Sequence, residues 1–80
     1  MKMYTTSDLN LASCLLTAGE KIFDSEKDGN KVIWHLQDTD TLRKTVNDYF
    51  NDKLCLNVRN LFYQQNLLKT QINAQRYGGR

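Results

Sequence analysis

From Glu20 to Gln37 the chain reads EKIFDSEKDGNKVIWHLQ, with apolar and polar residues alternating on either side of a polar midpoint. Alternation of period two predicts a β-hairpin, because successive strand side chains point to opposite faces. A type I′ turn at Asp28-Gly29 suits residues that tolerate positive φ. It places Phe23, Ser25, Val32, Trp34 and Leu36 on one face, and Ile22, Asp24, Glu26, Ile33 and His35 on the other. Moving the turn to Gly29-Asn30 shifts the register by two and leaves that division unchanged.

Outside this stretch the apolar residues recur at helical spacing. Leu9, Ala12, Leu15 and Leu16, with Leu11 at the margin, mark a first helix. It should start near Thr5 or Thr6, where Thr5-x-x-Asp8 forms a shortened capping box, and stop at Gly19. Asp38 or Thr39 caps a second helix, roughly Asp40 to Asn51, with Leu42, Val46, Tyr49 and Phe50 on its apolar side. Asn57 caps a third helix running to about Gln75, with Val58, Leu61, Phe62, Leu68 and Ile72 in one apolar arc and Gln65 inside it. Lys2 to Thr5 offers a short edge strand, a run too brief to enter the predicted order. The expected fold is α+β: a helix, a two-stranded antiparallel hairpin, then two helices (αββαα), with the helices on one face of the hairpin. Residues 1–77 form a single domain and 78–80 a flexible tail.

Two surfaces are left over in this arrangement. The hairpin face carrying Ile22, Ile33 and His35 stays open once the helices cover the other. The third helix has a second, weakly apolar stripe of Tyr63, Leu67, Thr70 and Ala74, with Tyr77 close by. A helix with two apolar sides has two neighbours, which are either its own chain twice or its own chain and a partner.

Composition narrows the class. Eighty residues bury only about 60% of their unfolded surface, so the core is thin, and partner contacts or self-association can add to it. No apolar run approaches the roughly 18 residues of a membrane span, and the polar start MKMYTTSD lacks the apolar core of a signal peptide. Cys14 and Cys55 do not make a disulfide framework, and inert, buried, reduced thiols in a cytoplasmic chain are expected. The net charge of +2 is divided: residues 1–52 carry nine acids against six Lys/Arg, whereas residues 53–80 carry five Lys/Arg and no acid. Such asymmetry points either to a polyanionic partner or to attraction between the two halves.

The runs YTTSDLNLASCLLTAG, EKDGNKVIW and DTDTLRKTVNDYFNDK resemble a family of short proteins of unknown function found in bacteria and their phages. The resemblance covers about residues 4 to 72. It implies a compact helix, hairpin, helix, helix domain from a phage or mobile-element gene pool, and it assigns no catalytic or binding residue. The basic, amide-rich segment from Lys69 to Arg80 is longer than is usual there. Val58 stands where many relatives have proline, which bears on the start of the third helix.

No constellation of reactive residues stands out. Asp24 to Asn30 follows the first half of a calcium loop, but position 12 falls on His35 and the flanks read as strands. His35 is the only histidine and has no ligand at zinc spacing, so a partly exposed strand histidine and no metal is expected. Neither a nucleophile–base pairing nor a phosphate-binding glycine loop is present, which excludes the common enzyme signatures and leaves no cofactor to expect. The expected function is therefore non-enzymatic protein binding through Tyr63, Leu67, Thr70, Ala74, Ile22, Ile33 and His35. The alternative is nucleic-acid binding: Arg59, Lys69, Arg76 and Arg80 sit among Asn60, Gln64, Asn66, Gln71, Asn73 and Gln75, residues able to meet phosphates and base edges.

Overall fold

In a computed structural model, residues 2–77 are described, with side-chain surroundings through residue 74. The elements are β1 (Met3–Thr6), α1 (Leu9–Thr17), β2 (Ile22–Asp28), β3 (Lys31–Gln37), α2 (Asp40–Phe50) and α3 (Val58–Tyr77). The class is α+β as expected, but the hairpin is two strands of a three-stranded antiparallel sheet ordered β1-β3-β2. The short N-terminal run left out of the predicted order is a true strand. It is held there by partners that no local pattern reveals. Tyr4 and Thr6 lie opposite Leu36 and Trp34, and the Asp38 N–H donates to the Lys2 carbonyl at 3.1 Å.

The hairpin closes on Gly29-Asn30, with Asp28 opposite Lys31. Positive φ falls on Gly29 alone (φ 62), which is the requirement of a II′ turn rather than the I′ turn expected. A larger correction concerns its far end. A bulge between Ile22 and Asp24 sets Ile22 opposite Leu36 and Asp24 opposite His35. One extra residue reverses the strand's facing. Ile22 therefore packs against the core instead of joining the open face, and Phe23 is exposed instead of sitting beneath Trp34.

Helix ends follow local chemistry. Asp8, not Thr5 or Thr6, caps α1, accepting from the backbone N–H groups of Asn10 and Leu11. Thr6, still in β1, accepts from the Asp8 N–H. Past α1, the Gly19 N–H donates to Leu16 and that of Glu20 to Leu15, with Gly19 at φ 105. This is a Schellman stop. Thr39 caps α2 through the Leu42 N–H, while Asp38 accepts from the Arg43 guanidinium at 2.9 Å. The Schellman pattern recurs after α2, this time with Asp52 at positive φ (58). Asn57 caps α3 as expected.

The core lies between the sheet and the helices. Leu11, Ala12 and Leu15 of α1, Val32, Trp34 and Leu36 of β3, Leu42 of α2 and Leu68 of α3 form one buried cluster. Two hydroxyls go inside with them, and each donates to the carbonyl four residues back: Ser13 to Leu9 and Thr45 to Thr41. Among the described residues, every buried side-chain polar atom has a partner. The expected apolar face of α2 holds for Leu42, which is buried, and for Val46 and Tyr49, which pack against the core, whereas Phe50 is exposed and meets Tyr49 edge-on.

Candidate docking site

The azimuth of α3 decides what the molecule shows to solvent. Leu68 is buried, Leu61 and Ile72 are half-buried, but Val58 and Phe62, expected inside, are exposed. Further along the helix, two glutamines are tied into the fold, Gln65 as expected from its place in the apolar arc and Gln71 from outside it. The Trp34 indole N–H donates to Gln71 Oε1 at 3.1 Å, and Gln71 Nε2 donates to Ser25 Oγ at 2.8 Å. Gln65 Nε2 donates to Asn10 Oδ1 at 2.8 Å, tying α3 to the start of α1. A buried indole N–H needs an acceptor, and an amide supplies one while also donating onward. Gln71, counted in the sequence among residues able to read base edges, is thus occupied within the fold.

The outward stripe of α3 stands as expected for Tyr63 (60% exposed), Leu67 (49% exposed), Thr70 and Ala74, all accessible. Thr70 returns its hydroxyl to the Asn66 carbonyl. Arg59 and Lys69 are exposed on the same helix. The side chain of Arg76 and all of Gly78 to Arg80, including the expected tail, lie outside the described residues.

Beside Leu67, α3 and β2 enclose an open groove of about 660 Å³. Leu16, Ile22 and Leu68 contribute apolar surface, and the exposed side chains of Phe23 and Leu67 stand at it. Lys21, Asp24, Ser25, Gln64 and Gln71 supply its polar lining. Of the groove's apolar residues, Phe23 was expected on the inner face with Trp34. Only the bulge brings it here, and parity counted from the turn hides a bulge. A smaller hollow of about 410 Å³ lies between the end of α2 and the start of α3, lined by Cys14, Tyr49, Leu54, Leu56, Val58 and Leu61 among others.

The other predicted surface is the sheet face turned away from the core. By register it carries Thr5, Ile33, His35, Asp24, Glu26 and Asp28. Ile33 and His35 are half-buried on it, and His35 Nε2 meets Glu26 Oε1 at 2.8 Å. Ile22, expected on this face with Ile33 and His35, packs against the core instead. Cys14 is buried, and burial, with the nearby charge of Asp8, pushes its thiol pKa above the ordinary value. Cys55, expected to be buried, is exposed.

Among the described residues no three His, Cys, Asp or Glu side chains gather as a metal site requires, and no helix is long and apolar enough to cross a membrane. Fold and surface together define a small α+β domain with an open groove at one sheet edge and a second exposed helix face. The chain belongs to a family known as a domain of unknown function (DUF5659), whose model matches residues 1–75. No curated protein and no solved structure matches it.

Proposed function

We propose that this domain is a cytoplasmic, non-enzymatic binding protein that works by protein–protein interaction. In this proposal it is a phage or mobile-element product that occludes a component of host defence or host machinery. One observation carries the binding role: α3 seats one side in the core and still presents Tyr63 and Leu67 on another side, with Leu67 at the edge of an open groove of mixed apolar and polar lining. Large apolar side chains clustered beside a concave surface are typical of the centre of a protein interface. Occlusion needs no catalytic group. The phage or mobile-element origin rests on the sequence resemblance. Nucleic-acid binding through Arg59, Lys69, Arg76 and Arg80 is the competing role, and it is weakened by the use of Gln71 inside the fold.

Affinity capture from cells carrying the gene, with and without nuclease, separates the two roles. Protein binding predicts that the captured protein survives nuclease, depends little on salt and is lost with Leu67→Asp while the fold is intact. Loss of the captured material on nuclease treatment, or capture unchanged by Leu67→Asp, overturns the proposal.

A further inference from the structure

Resting on that protein-binding role, we infer that the partner docks an acidic amphipathic helix along the outward side of α3. Leu68 and Ile72 turn one side of α3 to the core. Counted around the helix at about 100° per residue, the opposite side carries Arg59, Tyr63, Asn66, Thr70 and Asn73, all exposed. Their steps of four and three residues are those of a coiled-coil seam. Phe62 and Lys69 flank the seam on one side, Leu67 and Ala74 on the other, and these too are exposed. The face thus sets the large groups Phe62, Tyr63 and Leu67 around short polar residues, over which a second helix can lie closely.

Its cations have no counterpart in the chain. Residues 53–80 contain no Asp or Glu. Among the described residues the ion pairs join His35 to Glu26 and Arg43 to Asp38 and Asp40, so neither Arg59 nor Lys69 has a carboxylate partner there. Carboxylates reach α3 at its flanks: Asp24 lines the groove with Leu67, and Asp52 lines the smaller hollow with Val58. Neither belongs to the seam. Charge complementarity therefore asks for an anionic partner. Its backbone has to be satisfied within itself, because the N–H and C=O groups along the side of α3 are already bonded inside the helix. A helix meets that condition. Aliphatic residues on its inner face cover Phe62, Tyr63 and Leu67, and carboxylates at its margins reach Arg59 and Lys69, which stand about 15 Å apart along the axis.

The same cations select against other occupants. A second copy pairing through its own α3 sets Arg59 opposite Lys69 when antiparallel and Arg59 opposite Arg59 when parallel, and like charges brought together are unfavourable. For nucleic acid, Arg59 and Lys69 are few cations to neutralise a phosphate backbone, while exposed Phe62 and Leu67 ask for apolar contact.

The test uses the full chain and three fluorescent peptides of leucine, alanine and a charged residue. The first places leucines on one helical face with glutamates at its margins, the second replaces the glutamates with lysines, and the third scrambles the first so that its apolar face is lost. An oligothymidine strand is the fourth probe. Binding is read by anisotropy and mapped by amide shifts in NMR spectra. The acidic amphipathic peptide should bind at least about tenfold tighter than the other two, with shifts along residues 59–73. Arg59→Gln/Lys69→Gln should weaken it about tenfold at low salt, and Tyr63→Ala at least about fivefold, both with unchanged melting temperature. Lys27→Gln/Lys44→Gln, which removes exposed cations elsewhere, should leave binding unchanged. Equal binding of the three peptides, shifts away from α3, equal losses from both double variants or absence of binding each overturn the inference. So does tighter binding of oligothymidine, or self-association of the chain through α3 in light scattering. If capture of a cellular protein still depends on Leu67 while Arg59→Gln/Lys69→Gln leaves it unchanged, the acidic helix is wrong and the protein-binding role stands. Loss of capture on nuclease treatment removes both.

Discussion

Replacing Gln71 with leucine removes the acceptor of the one tryptophan while keeping most of the side chain's volume. Trp34 is 0% exposed, and its indole N–H has Gln71 Oε1 at 3.1 Å as partner. Stranding a buried donor costs about 1–3 kcal/mol, and losing the second hydrogen bond, from Gln71 Nε2 to Ser25, costs about 0.5–1.5 kcal/mol. Leucine recovers part of this through apolar burial, which leaves a net loss of about 2 kcal/mol. That is large against a total stability of about 4–12 kcal/mol for a domain of this size. The melting temperature should fall by about 8–16 °C. Urea denaturation followed by far-UV circular dichroism measures it, since Trp34 itself is part of the test. Trp34→Phe removes the donor independently, so the double variant should lose less than the sum of the singles, with a coupling of about 1 kcal/mol. A loss below about 0.5 kcal/mol for Gln71→Leu, or zero coupling, refutes the claim that this amide fixes the azimuth of α3.

Three further outcomes are expected. Asp52 holds positive φ after α2, so Asp52→Gly should raise stability by about 0.5–1 kcal/mol in a thermal melt, and no gain would show that the αL strain is relieved otherwise. Under native conditions a thiol reagent should label the exposed Cys55 promptly and Cys14 only on unfolding, as read by mass spectrometry. Burial, aided by nearby acids, raises the Tyr4 and Tyr49 phenols above 10.0 and the Cys14 thiol above 9.0. A raised folded-state pKa gives stability that is complete below the unfolded value and lost as pH rises through the folded one. The urea midpoint should therefore be flat near neutrality and fall above about pH 9, and Cys14→Ala and Tyr4→Phe should each make the fall shallower.

Much of the fold is legible because its signals are local. The caps at Thr39 and Asn57 and the Gly19 stop each depend on residues within one helical turn. Alternation in Val32, Trp34 and Leu36 marks the buried face of β3 without outside help. What escapes is set by distant partners. β1 exists because β3 offers it an edge, and the first helix starts later than expected because Thr5 and Thr6 are spent on that strand. The bulge at Phe23 transfers Ile22 to the core and exposes a phenylalanine, and nothing in the alternating pattern announces it. On α3, hydropathy favoured Val58 and Phe62 as inner residues. The acceptor required by Trp34 draws in Gln71 from outside that arc. The candidate surface was visible in Tyr63 and Leu67, whereas the groove beside them required the bulge and the azimuth together.

Photo-crosslinking in cells puts the proposed surface to its sharpest trial. A photoreactive phenylalanine analogue is placed at Phe23 on the groove, at Tyr63 on the outer face of α3, and at Lys44, an exposed position on α2. Docking beside β2 and α3 predicts one and the same protein adduct from positions 23 and 63, resistant to nuclease and missing from position 44. Adducts to nucleic acid, or equal protein adducts from all three positions, contradict it.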